Sequence, residues 1–393
     1  MQVSPRRPIG VATMFATNGI SISSVLPWYP TFKDNWELSD LVFGLLVTAV
    51  ALGSLASTTL PAWAERTFGA RRVMIVGTVI TAFYLVGIGL APGAWALAVL
   101  LLFFGLTDAI IDVSQNVAAV RVQTEMGRSI MSSLHACWSL GAVLGGIGGT
   151  AAAVAGVPIL VHLSAIAVLQ VGLVALAAWL MGDVSGQSNT RAPADSQPAE
   201  PSSKITRRVV LLALPAAIVA TAGTMVEDIG NNWAALSAST LSSISISAAG
   251  SAYIVLFAAQ TVGRFAGDLL INRFGRVAVA RAGGVCIALG GLAVVLATNP
   301  VPLYVGYALA GWGCATLVPS AYAASAMLPG VAQSTGMTVV SWLMRVGFMA
   351  TSPLIGALAE ATSLRVALVI LPLAGLAVVL SAPGLRGHKQ KTW

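Results

Sequence analysis

Twelve times along this chain about 20 residues pass with scarcely a charge among them, and no other feature constrains the fold as much. A stretch of that length crosses the hydrocarbon core of a bilayer as a helix. The stretches lie near 9–31, 41–63, 73–91, 94–120, 129–153, 157–181, 208–233, 246–268, 276–298, 300–328, 332–358 and 363–383. They are too long for barrel strands and lack strict alternation. Of the 393 residues 57% are hydrophobic and only 9% charged, whereas a soluble domain carries about 25% charged residues. So few charges cannot cover a water-facing surface. A soluble enzyme, a nucleic-acid binder and a secreted scaffold are thereby excluded, and lipid is left as the solvent. The expected fold is an all-α integral membrane protein of twelve transmembrane helices. No short charged-plus-apolar start with a small-residue cleavage site precedes the first stretch, so that helix is expected to be retained.

One polar segment, DVSGQSNTRAPADSQPAEPSSKITR from Asp183 to Arg207, divides the spans six and six. Its Ser, Pro, Gln and Ala leave no large hydrophobe to bury, the composition of a flexible linker. The expected domains are a six-helix bundle over 1–182, a cytoplasmic linker over 183–207, and a second bundle over 208–393 with a short basic tail. Charge gives the orientation. With both termini in the cytoplasm, seventeen of the 21 Lys and Arg fall on inward segments and adjoining helix ends; Lys33 and Arg365 face outward, and Arg264 and Arg345 lie within spans. That bias is the positive-inside signature of a multi-pass membrane protein with both termini in the cytoplasm. The net charge of +7 is thus a topology signal rather than a nucleic-acid footprint. Cys137, Cys286 and Cys314 lie in apolar stretches at unrelated spacings, so neither a disulfide framework nor a metal site is expected.

The two halves echo each other. AERTFGARR (Ala64 to Arg72) ends the second span and GDLLINRFGR (Gly267 to Arg276) ends the eighth, with Phe68-Gly69 and Phe274-Gly275 in the same place. Six-helix parallel repeats are one of the internal symmetries of secondary transporters. On these features the chain resembles the major facilitator superfamily over nearly its whole length. The superfamily's loop motif, Gly-x-x-x-Asp-Arg-x-Gly-x-Arg-Arg, has Pro61 and Glu65 at its Gly and Asp positions, then Arg66, Gly69, Arg71 and Arg72. A stretched second copy keeps Gly263, Arg264, Asp268, Arg273, Gly275 and Arg276. DAIIDVSQN (108–116), GRSIMSSLHACWSLGAVLG (127–145), EDIGNNWAAL (227–236) and VPSAYAASAMLPG (318–330) resemble a bacterial branch related to the fucose and glucose/galactose permeases. The resemblance implies two bundles rocking about a midplane cavity, with the loop motif as a latch; plain anchoring at the headgroup level is the other reading of those charges.

Ionisable groups within a span cost about 2.5–3.5 kcal/mol on insertion scales, so each needs a reason. Arg264 and Asp268 are spaced to pair on one helix face. Asp108, Asp112 and Asn116 form a stripe that faces either a cavity or another helix, widened by Ser114 and Gln115. A carboxylate held out of water takes up a proton more readily than one in water, so this stripe suits a solute and proton site; structural pairing is the alternative. In the seventh span Glu227 shares a face with Asn231 and Asp228 with Asn232, and Gly230 suggests a loosened helix. Relatives keep an acid matching Glu227. Arg345 needs a counter-charge, with Asp228 or Glu227 the candidates, unless it meets an anionic solute or reaches the interface. His135 starts a polar side one turn before Trp138, whereas His162 reads as structural.

Sugar rings stack on Trp and Tyr while their hydroxyls bond to amides and acids, which makes Trp138, Trp312 and Trp342 candidates, with Tyr29, Tyr253 and Tyr322 beside them. Trp28 and Trp233 read as interface anchors. Asn18 and Gln260 are further amides inside spans. The run GAVLGGIGG (141–149) lets helices approach closely, and Gly146 stands where antiporters of the superfamily carry proline. The expected function is proton-coupled transport of a small polar organic solute, sugars first, by a protein needing no cofactor beyond the proton, no nucleic acid and no second copy. Efflux of drugs or metabolites by proton antiport is the alternative. No HExxH, GxSxG or paired metal ligands point to a membrane enzyme, and the retained acids argue against a receptor that no longer transports.

Overall fold

A computed structural model describes residues 6–57, 60–126, 130–182, 206–331 and 333–386, with side chains for all of these except Ala62, Ser132, Asp268, Gln333 and Ser334. Every regular element in it is helical. Eleven helices among the described residues are long and apolar enough to cross a membrane. The contacts divide the chain into two units: Met1–Thr190 with Ser245–Ile254, and Arg191–Ile244 with Val255–Trp393. The expected linker over 183–207 lies outside the described residues apart from its last two.

In the first unit, α1 (Arg6–Ser23) continues through a 3-10 turn at Leu26–Trp28 into α2 (Tyr29–Asn35). Pro27 and Pro30, which lack the N–H a helix interior needs, mark that bend. The second expected span is broken into α3 (Asp40–Val47), α4 (Ala49–Ala56) and α5 (Leu60–Phe68). At the first break the Thr48 hydroxyl donates to the Gly44 carbonyl at 2.7 Å, a bond that bends helices. Then follow α6 (Ala70–Gly89), α7 (Ala94–Met126), α8 (Met131–Val154) and α9 (Ile159–Met181). The 33 residues of α7 extend about 50 Å, well beyond a bilayer core of about 30 Å. Its last turns therefore carry Arg121 and Glu125 outside the apolar span.

The second unit contains α10 (Arg207–Asn232), α11 (Ala234–Leu241), α12 (Ser251–Phe274) from Val255 onward, α13 (Arg276–Val295), α14 (Pro300–Cys314), α15 (Leu317–Ser325), α16 (Gln333–Ala361), α17 (Leu364–Ala367) and α18 (Ile370–Ser381). The loosening expected at Gly230 falls three residues later. There α10 ends at Asn232, Trp233 turns the chain, and α11 resumes the path. Gly230 instead gives room to Leu256 and Phe257 of α12.

The internal repeat is visible in the backbone. Gly69 and Gly275 both adopt left-handed φ, +79° and +81°, a conformation glycine takes without steric cost. Each donates to the carbonyl four residues back, Glu65 and Ile271, at 2.8 Å, and each accepts from the residue four ahead, Val73 and Val279, at 3.2 Å. This register matches Glu65 with Ile271 and Pro61 with Gly267. Arg264 and Asp268 therefore fall outside the acid position of the second loop copy.

Lipid gives helices little hydrophobic reason to associate, so close backbone approach at small residues is decisive. The glycine run of α8 works in this way: Gly141, Gly145 and Gly149, one turn apart on one face, lie against Ala16, Ile20 and Ser24. A Cβ on Gly141 would come within 2.1 Å of the Ala16 carbonyl oxygen, whereas one on Gly148 would meet nothing within 4 Å. Gly53 and Gly105 make the same kind of seam between α4 and α7, and Gly283 and Gly313 one between α13 and α14. Gly141→Ala is expected to cost about 1–3 kcal/mol of stability, while Gly148→Ala leaves it unchanged or slightly raised. Denaturant unfolding of the two variants in detergent tests this, and equal midpoints would show that the seam does not hold α1 and α8 together.

Candidate functional site

Polar side chains inside the first unit gather where α1, α7 and α8 meet. The Asn18 amide nitrogen donates to Asp108 Oδ1 at 2.7 Å, and its carbonyl oxygen accepts from Trp138 Nε1 at 2.7 Å. This chain of two bonds leaves both amide atoms of Asn18 in use, with Asp108 and Trp138 half-buried at its ends. Asp112 lies one turn along α7, exposed, and takes Nδ2 of Asn116 at 3.2 Å. His135 on α8 stacks edge-on to Phe15, ring centres 5.4 Å apart, and stands near enough to Asp112 for their charges to interact. The expected stripe of Asp108, Asp112 and Asn116 is thus in place, with His135 and Trp138 beside it. Ser114 and Gln115 do not widen it: both are buried, and Gln115 donates to the Met14 carbonyl at 3.1 Å.

Below this cluster, ion pairs tie the helix ends. Glu65 accepts from Arg121 at 2.8 Å, joining α5 to α7, and Glu125 accepts from Arg7 at 2.8 Å, joining α7 to α1. Arg71 donates to the Ala178 carbonyl at 3.1 Å. Arg66 and Arg72 are exposed on either side of Gly69.

In the second unit the two neighbouring acids of α10 have separate partners, because adjacent helical residues point about 100° apart. Glu227 Oε1 accepts from Arg264 Nη2 at 2.6 Å and from Gln260 Nε2 at 2.5 Å, both on α12. Gln260 also reaches Cys314 Sγ at 3.4 Å. Asp228, only 4% exposed, accepts from Asn232 at 2.8 Å and from Ser352 of α16 at 2.5 Å. Trp233 Nε1 donates in turn to the Ser352 hydroxyl at 3.1 Å.

Several expectations need correction. Arg264 pairs with Glu227 across two helices; the side chain of Asp268, its expected partner, lies outside the described residues. Arg345 has neither Glu227 nor Asp228. It lies two turns before Ser352 on α16, about 10 Å along the axis from the residue that meets Asp228, and it is exposed with no partner among the described residues. Trp342, one turn earlier, is also exposed, and Asn231 is half-buried. Trp312 sits about 200° around α14 from Cys314 and lines a groove with Gly263 and Phe274 instead of joining Glu227. Trp28 and Trp233 are buried rather than interfacial: Trp28 donates to His162 Nδ1 at 3.1 Å, and Trp233 is enclosed because the chain continues past it as α11. Tyr253, in the segment grouped with the first unit, donates to Ser23 at 2.8 Å. Arg121 and Ser352 were missed. The Ser352-Pro353 pair inside an apolar stretch and the overlong fourth span were the available signals.

Two helical units spanning an apolar layer, each holding carboxylates among amides and indoles inside its spans, define a polytopic membrane transporter. The chain belongs to the Major Facilitator Superfamily, whose pattern matches residues 11–228. It is 30% identical over 381 residues to the uncharacterized transporter y4wD of Sinorhizobium fredii, covering 96% of this chain and 97% of that one. It is 25% identical over 388 residues to the membrane protein MosC of Rhizobium meliloti, covering 96% and 90%. Among solved structures, the nucleoside transporter NupG superposes with a TM-score of 0.69 at 12% identity, covering 99% of this chain and 100% of that one. A bacterial homolog of the human lysosomal transporter Spinster, inward-facing and unoccupied, gives 0.70 at 15%, covering 98% of both. These two share the fold. Family membership makes the chain a carrier of small solutes across a lipid bilayer.

Asn18→Ala removes both bonds of the Trp138–Asn18–Asp108 chain and is expected to cost about 1–3 kcal/mol; Trp138→Phe, which removes one, costs about 0.6–1.7 kcal/mol. Unfolding in detergent reads both. Wild-type midpoints in the two variants would show that the chain contributes nothing to holding α1, α7 and α8 together.

Proposed function

We propose that the protein is a proton-coupled secondary transporter of a small polar organic solute, with sugars the favoured class, working by alternating access in the bacterial cytoplasmic membrane with both termini inside. One observation carries this reading. In each unit one carboxylate stands accessible beside hydrogen-bonding amides, Asp112 with Asn116 and Glu227 with Gln260, while its neighbouring acid is tied into a helix contact. An accessible acid among amides offers both a proton carrier and acceptors for hydroxyl groups, and Trp138 adds a flat apolar face for a sugar ring. Asp108 and Asp228 are assigned the role of holding the helices that present Asp112 and Glu227. The Glu227–Arg264 pair supplies a local counter-charge that a proton on Glu227 would release, so protonation and rearrangement of α10 against α12 are linked. The arginines around Gly69 and Gly275, with Glu65 held by Arg121, are assigned to the conformational latch. The resemblance to fucose and glucose/galactose permeases supports the choice of sugars.

Purified protein in liposomes holding a pH-sensitive dye, offered sugars, nucleosides and cationic drugs in turn, tests the reading. Sugar-dependent internal acidification is expected, falling to the level of empty liposomes in Asp112→Asn and in Glu227→Gln. Full activity in both variants at normal expression would overturn it. Alkalinisation of preacidified vesicles by a drug, with silence for every sugar, would favour proton-antiport efflux instead.

A further inference from the structure

Three arginines of the second unit, Arg276, Arg281 and Arg386, line one cavity of about 410 Å³ where α13 begins and α18 has ended. Among the described residues none of the three guanidinium groups has a hydrogen-bond or ion-pair partner. No acid lines the cavity. Arg281 and Arg386 are exposed and Arg276 half-buried; like charges gathered without a counter-charge repel one another, so an anion placed among them is attracted by all three. The first turn of α13 forms part of the same wall, and the unpaired N–H groups and dipole of a helix start favour negative charge.

Next to it, sharing Phe274 and Ala278 as a common wall, runs an apolar groove of about 390 Å³ between α12, α13 and α14. Gly263, Ala282 and Trp312 shape it, and Thr316 supplies a hydroxyl. Small residues on three helices leave space that no side chain of the unit fills. Trp312 and Phe274 are exposed at its edge, Phe274 at 58%. A basic cavity adjoining an apolar groove matches a molecule with an anionic head and a hydrocarbon tail, and a bilayer is full of such molecules. Basic pockets between transmembrane helices are known to take anionic lipid head groups.

We propose that this double cavity is a binding site for an anionic phospholipid, its phosphate among Arg276, Arg281 and Arg386 and one acyl chain along the groove past Phe274 and Trp312. A free inorganic anion would satisfy the arginines but leave the groove empty, which is why the two cavities together specify a lipid. Neither Glu227 nor Asp228 lines either cavity, and the proposal does not rest on the solute carried.

The test uses full-length protein in detergent, titrated with phosphatidylglycerol or phosphatidylcholine of identical acyl chains, with bound lipid read by native mass spectrometry. Preferential retention of phosphatidylglycerol is expected. Each surface arginine contributes about fivefold to anionic-lipid binding, so the triple variant Arg276→Gln, Arg281→Gln, Arg386→Gln should lose on the order of a hundredfold. Ala282→Trp, which fills the groove without touching the arginines, should weaken retention as well, and millimolar inorganic phosphate should fail to displace the lipid. Equal retention of the two lipids by the unaltered protein, or undiminished retention by the triple variant, overturns the proposal. So does displacement by phosphate together with indifference to Ala282→Trp, which would mark a bare anion site.

Discussion

Backbone contact between α1 and α8 is the constraint on which the polar site of the first unit rests. Gly141, Gly145 and Gly149 lie against Ala16, Ile20 and Ser24, and from the other side a Cβ on Gly19 would come within 2.1 Å of the Trp138 carbonyl oxygen. Only at that separation can the short amide of Asn18 reach Trp138 on one helix and Asp108 on α7 at the same time. Side chains of ordinary size along the seam would spread the helices and leave a carboxylate and an indole N–H unpaired in an apolar layer, where each unsatisfied group costs several kcal/mol. The glycine seam and the polar chain are therefore one structural device. The seam sets the distance, and the chain fixes which rotations of the three helices are allowed.

The second unit solves the same problem by turning the chain. Two adjacent acids on a straight helix point in different directions, and one of them must find neutral partners or remain exposed. Asp228 is enclosed by Asn232 and Ser352. The turn at Trp233 brings an indole N–H onto the same serine, so a buried carboxylate is met by donors from two helices without a second charge. Glu227, rotated away, meets Arg264 in a more open position. The division between a buried acid with neutral partners and an accessible acid with a cation follows from helical geometry. It leaves Glu227 partly accessible and Asp228 enclosed.

What the sequence made legible was periodic or positional: span number to within one broken helix, the paired loop glycines, the glycine face of α8, and the stripe of Asp108, Asp112 and Asn116. These depend on residues near one another in the chain. Partnerships between helices were not legible, because periodicity identifies a face without identifying what the face meets. Arg264 has an acid four residues away in sequence, yet Glu227, far from it in sequence, accepts its proton-bearing nitrogen at 2.6 Å. Arg345 was expected to have an acid because it is charged within a span; its height along α16 puts it out of reach. Trp28 and Trp233 occupy span ends, where tryptophan is usually interfacial. Bends at Pro27 and at Trp233 itself carry the chain onward and bury them.

The loop copies show how far an internal repeat can diverge while its backbone stays fixed. Gly69 and Gly275 share φ and the same pair of hydrogen bonds, since a left-handed residue is needed to reverse the chain between two helices in one step. The charges are under no such constraint. In the first copy the residue four before the glycine is Glu65, which takes up Arg121; in the second it is Ile271, which can neutralise nothing. Arginine was kept after both glycines, but only the first copy kept an acid at this position. The loop copies thus share a backbone turn and a following arginine but not the acid, and among the described residues Arg276 stands beside Arg281 and Arg386 with no acid in the same cavity. In a membrane, the anions at hand are those of the lipid itself.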